Sequence, residues 1–217
     1  MRFDLEEVGS QNAYKLLAAT VMPRPIAWVV TQDADGGLNA APYSFFNVMG
    51  HSPPTIAIGI MGDPERGFKD TSRNILDTGE FVVNLVPERL VRAMNVTAID
   101  APRGVDELAL AKLATEPSAH VRPPRIAESP VSFECVSLSS VVTGPSQVVV
   151  IGRVLAVHVA DDCVLDAGRA HIDTPKLDLV ARSYGSDYVR SHDTFSLVRP
   201  KWSEWAERET AESSNDP

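Results

Sequence analysis

Residues 37–47 read Gly37-Leu-Asn-Ala-Ala-Pro42-Tyr-Ser-Phe-Phe-Asn47, and how far this stretch can join a sheet decides the fold. Ahead of it, Ile26 to Gln32 (IAWVVTQ) is β-branched and aromatic, as a strand requires, and Asp35-Gly36 is a strong hairpin signal. Leu38 onward is therefore the returning strand. Pro42 has no N–H to give to a ladder, which confines it to an edge, a bulge or a rim. The backbone from Ala41 to Phe45 is left with free N–H groups, and something other than a strand neighbour has to meet them. An edge strand whose proline merely blocks aggregation is the competing reading of the same residues.

Upstream, Gln11 to Ala19 (QNAYKLLAA) predicts a brief helix packed by Tyr14, Leu16 and Leu17. Met22-Pro23-Arg24-Pro25 then forces an extended approach, because the residue before a proline is pushed out of the helical region. Downstream, His51-Ser-Pro-Pro54 is a stiff connection into a strand over Thr55 to Met61, where Gly59 allows another backbone or a ligand to come close. Asp70 or Thr71 reads as the N-cap of a two-turn helix and Gly79 as the residue just past its end. Glu80 to Val86 (EFVVNLV) alternates as a strand, and Pro87 opens a helix to about Val96. Residues 100–129 are rich in Ala, Pro and charge; they read as surface structure with a helix at Val105 to Ala114. Val131 to Val142 and Gln147 to Ala160 are two long strands joined by Thr143-Gly-Pro-Ser146.

At least six strands, outweighing the helices and without βαβ alternation, predict a mainly β chain: a closed antiparallel barrel with peripheral helices. Residues 1–205 read as a single domain and the acidic stretch 206–217 as a polar tail that frays. With 29 acidic against 20 basic residues and a formal charge of −9, nucleic acid is a disfavoured partner. No run approaches the ~20 apolar residues needed to cross a bilayer, and MRFDLEEVGS is no signal peptide. Cys135 and Cys163 sit in apolar stretches without CxxC spacing, so they read as small buried hydrophobes of a cytoplasmic protein.

Several chemistries lack their residues. There is no G-x-G-x-x-G and no G-x-S-x-G, and Gly62-Asp-Pro-Glu-Arg-Gly67 fails as a phosphate loop because Phe68 stands where Lys is required. The five histidines show no paired spacing, so no metal site is proposed. What remains is an anion site: the start of the Thr71 helix offers free N–H groups and a positive dipole end beside Lys69, Ser72 and Arg73. A capped surface helix with solvated charges explains that feature equally, and Trp28 alone reads more simply as core.

Taken as an ordered set, YKLLAATVMPRPIAWVVTQDADGGLNAAPYSFFN, DPERGFKDTSRNI with TGEFVVNLV, ESPVSFEC, IGRVLAVHV and ARSYGSDY resemble the flavin reductase-like family of FMN-binding split barrels. That group includes flavoredoxin-like proteins and the reductase components of two-component monooxygenases. The resemblance runs from about Tyr14 to Tyr188. It implies a split β-barrel and a homodimer with FMN (or FAD) near the subunit interface. It also implies NADH or NADPH as co-substrate, and a monooxygenase or electron-transfer partner.

Carried over residue by residue, Ala41, Pro42, Tyr43, Ser44, Phe45 and Phe46 would line the flavin, with Asn47 adding a hydrogen bond. Arg24 and Trp28 would flank the pocket, and Phe68, Lys69, Asp70 and Thr71 would receive the phosphate end. Tyr184 and Tyr188 would cover the ring or the nicotinamide, from the partner subunit if the interface requires it. Relatives often show Leu-Gly-Gly where this chain has Ser183-Tyr184-Gly185, so Tyr184 bears on access to the flavin face. The implied reaction passes hydride from nicotinamide C4 to flavin N5, which needs positioning and no side-chain acid or base, so no catalytic residue is named. His158 reads as structural. A flavoredoxin-like electron carrier and a non-redox binding barrel are the alternatives.

Overall fold

The computed structural model describes residues 1–63, 65–203 and 205; the stretch 206–217, expected to fray, lies outside them. The chain opens with two helices, α1 (Leu5–Val8) and α2 (Ser10–Thr20). The helix expected at Gln11 to Ala19 is present, but its packing differs. It buries Ala18 and leaves Tyr14 and Leu17 about half exposed, because only one small residue faces the body of the protein.

β1 (Arg24–Pro25) leads into a hairpin of β2 (Ala27–Gln32) and β3 (Leu38–Tyr43), in register from Ala27 opposite Tyr43 to Gln32 opposite Leu38. The Asp33 carboxylate accepts from the N–H groups of Asp35 and Gly37 at 3.0 and 2.7 Å and closes the turn. Gly36 takes the φ of +96° that the turn requires.

The chain does not stay on this edge as one strand to Asn47. It breaks at Ser44 and re-forms as β4 (Phe45–His51), which pairs with β5 (Pro54–Met61). The rest follows as α3 (Asp70–Thr78), β6 (Glu80–Asn84), α4 (Val91–Val96), α5 (Glu107–Leu110), and a small pair β7 (Thr115–Glu116) and β8 (Arg125–Ile126). Then come the long hairpin β9 (Val131–Gly144) and β10 (Gln147–Val159), the short pair β11 (Val164–Asp166) and β12 (His171–Ile172), and finally β13 (Val180–Arg182) and β14 (Tyr188–Arg190).

Among the described residues the main sheet has the order β3-β2-β6-β9-β10-β5-β4, and every pairing in it is antiparallel. Its two edge strands, β3 and β4, are consecutive in the chain. The sheet therefore curls until one continuous segment spans both edges, giving an antiparallel barrel split at Ser44. Pro42 sits on the edge strand, where its missing N–H breaks no ladder bond. Gly59 lies opposite Phe45, and a Cβ there would come within 3.1 Å of the Phe45 Cβ; the neighbour that Gly59 admits is β4.

Strand periodicity divides two cores. Val29, Phe81 and Val83 point into the barrel with Ile56, Ile58, Val150 and Cys135, and Ile75 of α3 joins them. Their neighbours Trp28, Val30 and Val82 point outward under the segment that follows β6. Each such fully buried side chain contributes about 1.5–3 kcal/mol. The outer core corrects one expectation. Residues 100–129 are not only surface: Leu108, Val121 and Ile126 are buried against Trp28 and Val82, because the outward face of β2 and β6 is as apolar as the inward one. The helix in that segment is only α5, capped by Asp106.

Cys135 and Cys163 are free and buried, and burial pushes both thiols up from their ordinary range. Among the described residues no helix is long and apolar enough to cross a membrane.

Candidate functional site

A cleft of about 440 Å³ opens beside the edge strand β3. Ala41, Pro42 and Tyr43 form one wall, and Arg66 to Thr71, which lead into α3, form the second. Residues 97–103 and Glu107 close it from the third side.

α3 begins one residue earlier than its sequence suggests. Lys69 is the N-cap, and no side-chain hydrogen bond closes the turn, so first-turn N–H groups face the cleft without a cap. The expected caps are engaged elsewhere. Asp70 lies 3.4 Å from Arg103 and accepts from the Gly104 N–H at 3.2 Å. Thr71 is buried, donating to Asn39 Oδ1 at 2.6 Å and accepting from the Tyr43 hydroxyl at 2.9 Å. Gly79 ends the helix in the left-handed conformation, as its sequence predicts. Lys69 is exposed at the mouth, and among the described residues it forms no ion pair.

Behind the wall runs a buried polar network. The Glu107 carboxylate accepts from the Ala40 N–H at 3.0 Å and from Asn39 Nδ2 at 2.9 Å, meeting a donor that an edge strand has no neighbour to satisfy. Asn39 Oδ1 accepts from Thr71 and also from Thr31, which in turn accepts from Asn74 of α3. β3, α3 and α5 are thus tied at fixed distances around the cleft. Burial holds the Glu107 carboxyl above its ordinary range although its hydrogen bonds pull the other way, and burial pushes the Tyr43 phenol up as well.

The other residues singled out in the sequence do not line this cleft. Arg24 is buried, and its guanidinium donates to the carbonyls of Ala18, Val21 (2.7 Å) and Ser183 (2.8 Å) and to the Ser44 hydroxyl at 3.4 Å. It clamps the end of α2 and the β13–β14 turn to the break between β3 and β4. Trp28 has no exposed surface, and its indole N–H is spent on Thr97 at 2.8 Å, so it supports the cleft wall from behind without lining the cleft.

Phe45 turns toward Tyr14, with ring centroids 6.2 Å apart, and Asn47 is exposed with its side chain bonded to the Val48 N–H. Tyr184 is exposed in the turn that Arg24 holds, and Tyr188 lies 4.7 Å beneath the Arg182 guanidinium. His158 pairs with the fully buried Glu134. Asn39, Thr97, Arg103 and Glu107 were not expected at the site. The helix expected at Val105 to Ala114 contains α5, but no local pattern says that Glu107 reaches back 67 residues to Ala40.

A family model described as the flavin reductase like domain matches residues 19–173. An uncharacterized protein of Deinococcus radiodurans is 41% identical over 99% of this chain and 96% of its own length. Among solved structures, component B of nitrilotriacetate monooxygenase from Bacillus cereus is similar at 34% identity and a TM-score of 0.85, covering 91% of this chain and 98% of that one. The 2-nitrobenzoate 2-nitroreductase of Pseudomonas fluorescens is similar at 28% identity and a TM-score of 0.84, covering 93% and 98%.

Proposed function

Because the chain belongs to the flavin reductase-like family, we propose that it is an FMN-binding oxidoreductase that reduces flavin with NADH or NADPH and works as a homodimer. The observation that carries this reading is the meeting, in one cleft, of an edge strand with a proline and a helix N-terminus without a side-chain cap. The volume suits a small-molecule site.

The residues present fit a flavin mononucleotide. The Lys69 ammonium and the first N–H groups of α3 match a phosphate, and the pairing of Asp70 with Arg103 offsets the acid nearest to it. The backbone of Ala41 to Tyr43 matches the polar edge of a flat ring system. When bound, FMN would supply the redox chemistry, accepting hydride at N5 from C4 of the nicotinamide. The chain's share is to position: Glu107 and Asn39 hold β3 against α3, and Tyr43, whose proton burial retains, is fixed by Thr71.

Support for a second copy comes from apolar surface left uncovered. Tyr14 and Leu17 of α2, Val48 and Met49 of β4, and Val157 of β10 are 47–65% exposed. Tyr184 borders the break at Ser44 through Arg24. In the dimer it would govern access to the flavin. Reduced flavin leaving such a site suits a partner monooxygenase, the setting in which the Bacillus cereus protein is named.

The test is the anaerobic visible spectrum of the protein with FMN, before and after NADH and then NADPH. Bleaching much faster than in a protein-free control is expected. Bound flavin that stays oxidised with both donors overturns the reductase reading in favour of an electron carrier, and absence of bound flavin overturns the site.

A further inference from the structure

The last described stretch of the chain leaves the body of the protein. Beyond Ser191 it runs His192-Asp-Thr-Phe195-Ser-Leu-Val198-Arg-Pro-Lys-Trp202, and Phe195, Leu197, Val198 and Trp202 are 78–90% exposed. Leaving such side chains in water forgoes roughly 1.5–3 kcal/mol for each. At the root of this arm lies a groove of about 390 Å³ against the small sheet in which β1, β13 and β14 pair, with Leu85 and Val86 beside it. Pro25, Ile26, Leu179 and Val189 give it apolar walls, and Asp193 and Thr194 form its rim. Inside it, the buried hydroxyl of Ser191 has no hydrogen-bond partner among the described residues. A donor left unmet in such surroundings costs about 1–3 kcal/mol. One chain therefore carries an apolar segment without a cover, and an apolar groove with an unmet donor.

We propose that the arm from Phe195 to Trp202 of one copy fills the groove of a second copy, so that the two subunits exchange C-terminal arms; this rests on the homodimer reading above. In an extended segment alternate side chains share a face, so Phe195 and Leu197 enter together, with Arg199 next on the same side, while Ser196 and Val198 face the other way. The arm's own groove is the poorer host. Phe195 directly follows the rim residue Thr194 and points away, and no glycine lies between Ser191 and Trp202 to make a tight reversal. Exchange between identical chains satisfies both arms and both grooves by one two-fold axis. A buried aromatic covers roughly 150–250 Å², against about 800 Å² per partner in a stable interface. The arm thus adds to the contact made by α2, β4 and β10 and does not replace it.

The test uses the full chain in two differently tagged copies expressed together, one with Leu197→Cys and the other with Val189→Cys; the native Cys135 and Cys163 are buried. After mild oxidation a disulfide-linked heterodimer is expected on a non-reducing gel. A single chain carrying both substitutions that closes into a linked monomer would overturn exchange, as would absence of any link while light scattering shows a dimer. A second variant, Phe195→Ser with Leu197→Ser, is expected to raise the dimer dissociation constant at least tenfold, and an unchanged constant counts against the arm whatever the gel shows. A parent that stays monomeric at all concentrations fails the dimer reading itself, and exchange with it.

Discussion

Replacing Glu107 separates its charge from its hydrogen bonds. Its Oε2 accepts from both the Ala40 N–H and Asn39 Nδ2, and the residue is only 7% exposed. Glu107→Ala leaves two buried donors unmet, at about 1–3 kcal/mol each, so a loss of roughly 2–6 kcal/mol is expected. For a chain of this size that lowers Tm by about 4–24 °C. Glu107→Gln keeps an oxygen able to accept from both donors and removes the desolvated charge.

The pH dependence gives the sign. Burial holds the folded carboxyl above its unfolded value, and Asp70 adds to this by repulsion. Between those two values the folded state binds more protons, so the carboxyl's contribution to stability falls as pH rises from about 4.3 upward. The stability of Glu107→Gln relative to the parent should therefore climb across that window and then level off. Urea unfolding followed by tryptophan fluorescence, from pH 4 to 8, measures all three proteins. An alanine variant within about 0.5 kcal/mol of the parent, the range of a surface change, would refute the reasoning. So would a glutamine variant as damaged as the alanine one at pH 7.

Lys69→Ala should weaken FMN binding by about 10- to 150-fold, the worth of one charge-assisted hydrogen bond; fluorescence titration of FMN checks it, and an unchanged dissociation constant removes Lys69 from the phosphate end. Gly152→Ala places a Cβ 2.5 Å from Cζ of the fully buried Phe81 and 3.5 Å from Ile56 Cγ1, so overpacking of about 1–3 kcal/mol should appear as a lower Tm. Burial alone would raise the Glu134 carboxyl, but donation from the Ala119 N–H, His158 and the His120 N–H holds it below its ordinary 4.5. Its stabilisation is present above that value and is lost as pH falls through the lower folded one. Glu134→Gln should therefore be less stable than the parent at pH 7, with the gap closing below about pH 4 in chemical denaturation.

Local signals were legible residue by residue. Asp35-Gly36 made the hairpin, Pro42 kept β3 at an edge, Gly79 ended α3, and the alternation around Phe81 and through residues 131–159 gave the long strands. Each depends on the conformational limits of one residue or on a period of two, which the sequence carries without reference to the rest of the chain. The ordered motifs also led to the family and to the mainly β split barrel.

Tertiary structure alone decided what lies between distant segments. The break at Ser44 exists because β3 finds its partner in β2 and β4 finds its partner in β5, which no local preference around Ser44 foretells. Trp28 is withdrawn from the cleft surface because the outward side of β2 meets residues 97–126, a segment whose composition reads as surface. Glu107 closes the cleft because packing brings α5 to the edge of β3, where a free N–H needs an acceptor. A buried donor has to be met by something, but which residue meets it is set by packing across long sequence separations and not by the residues beside it in the chain.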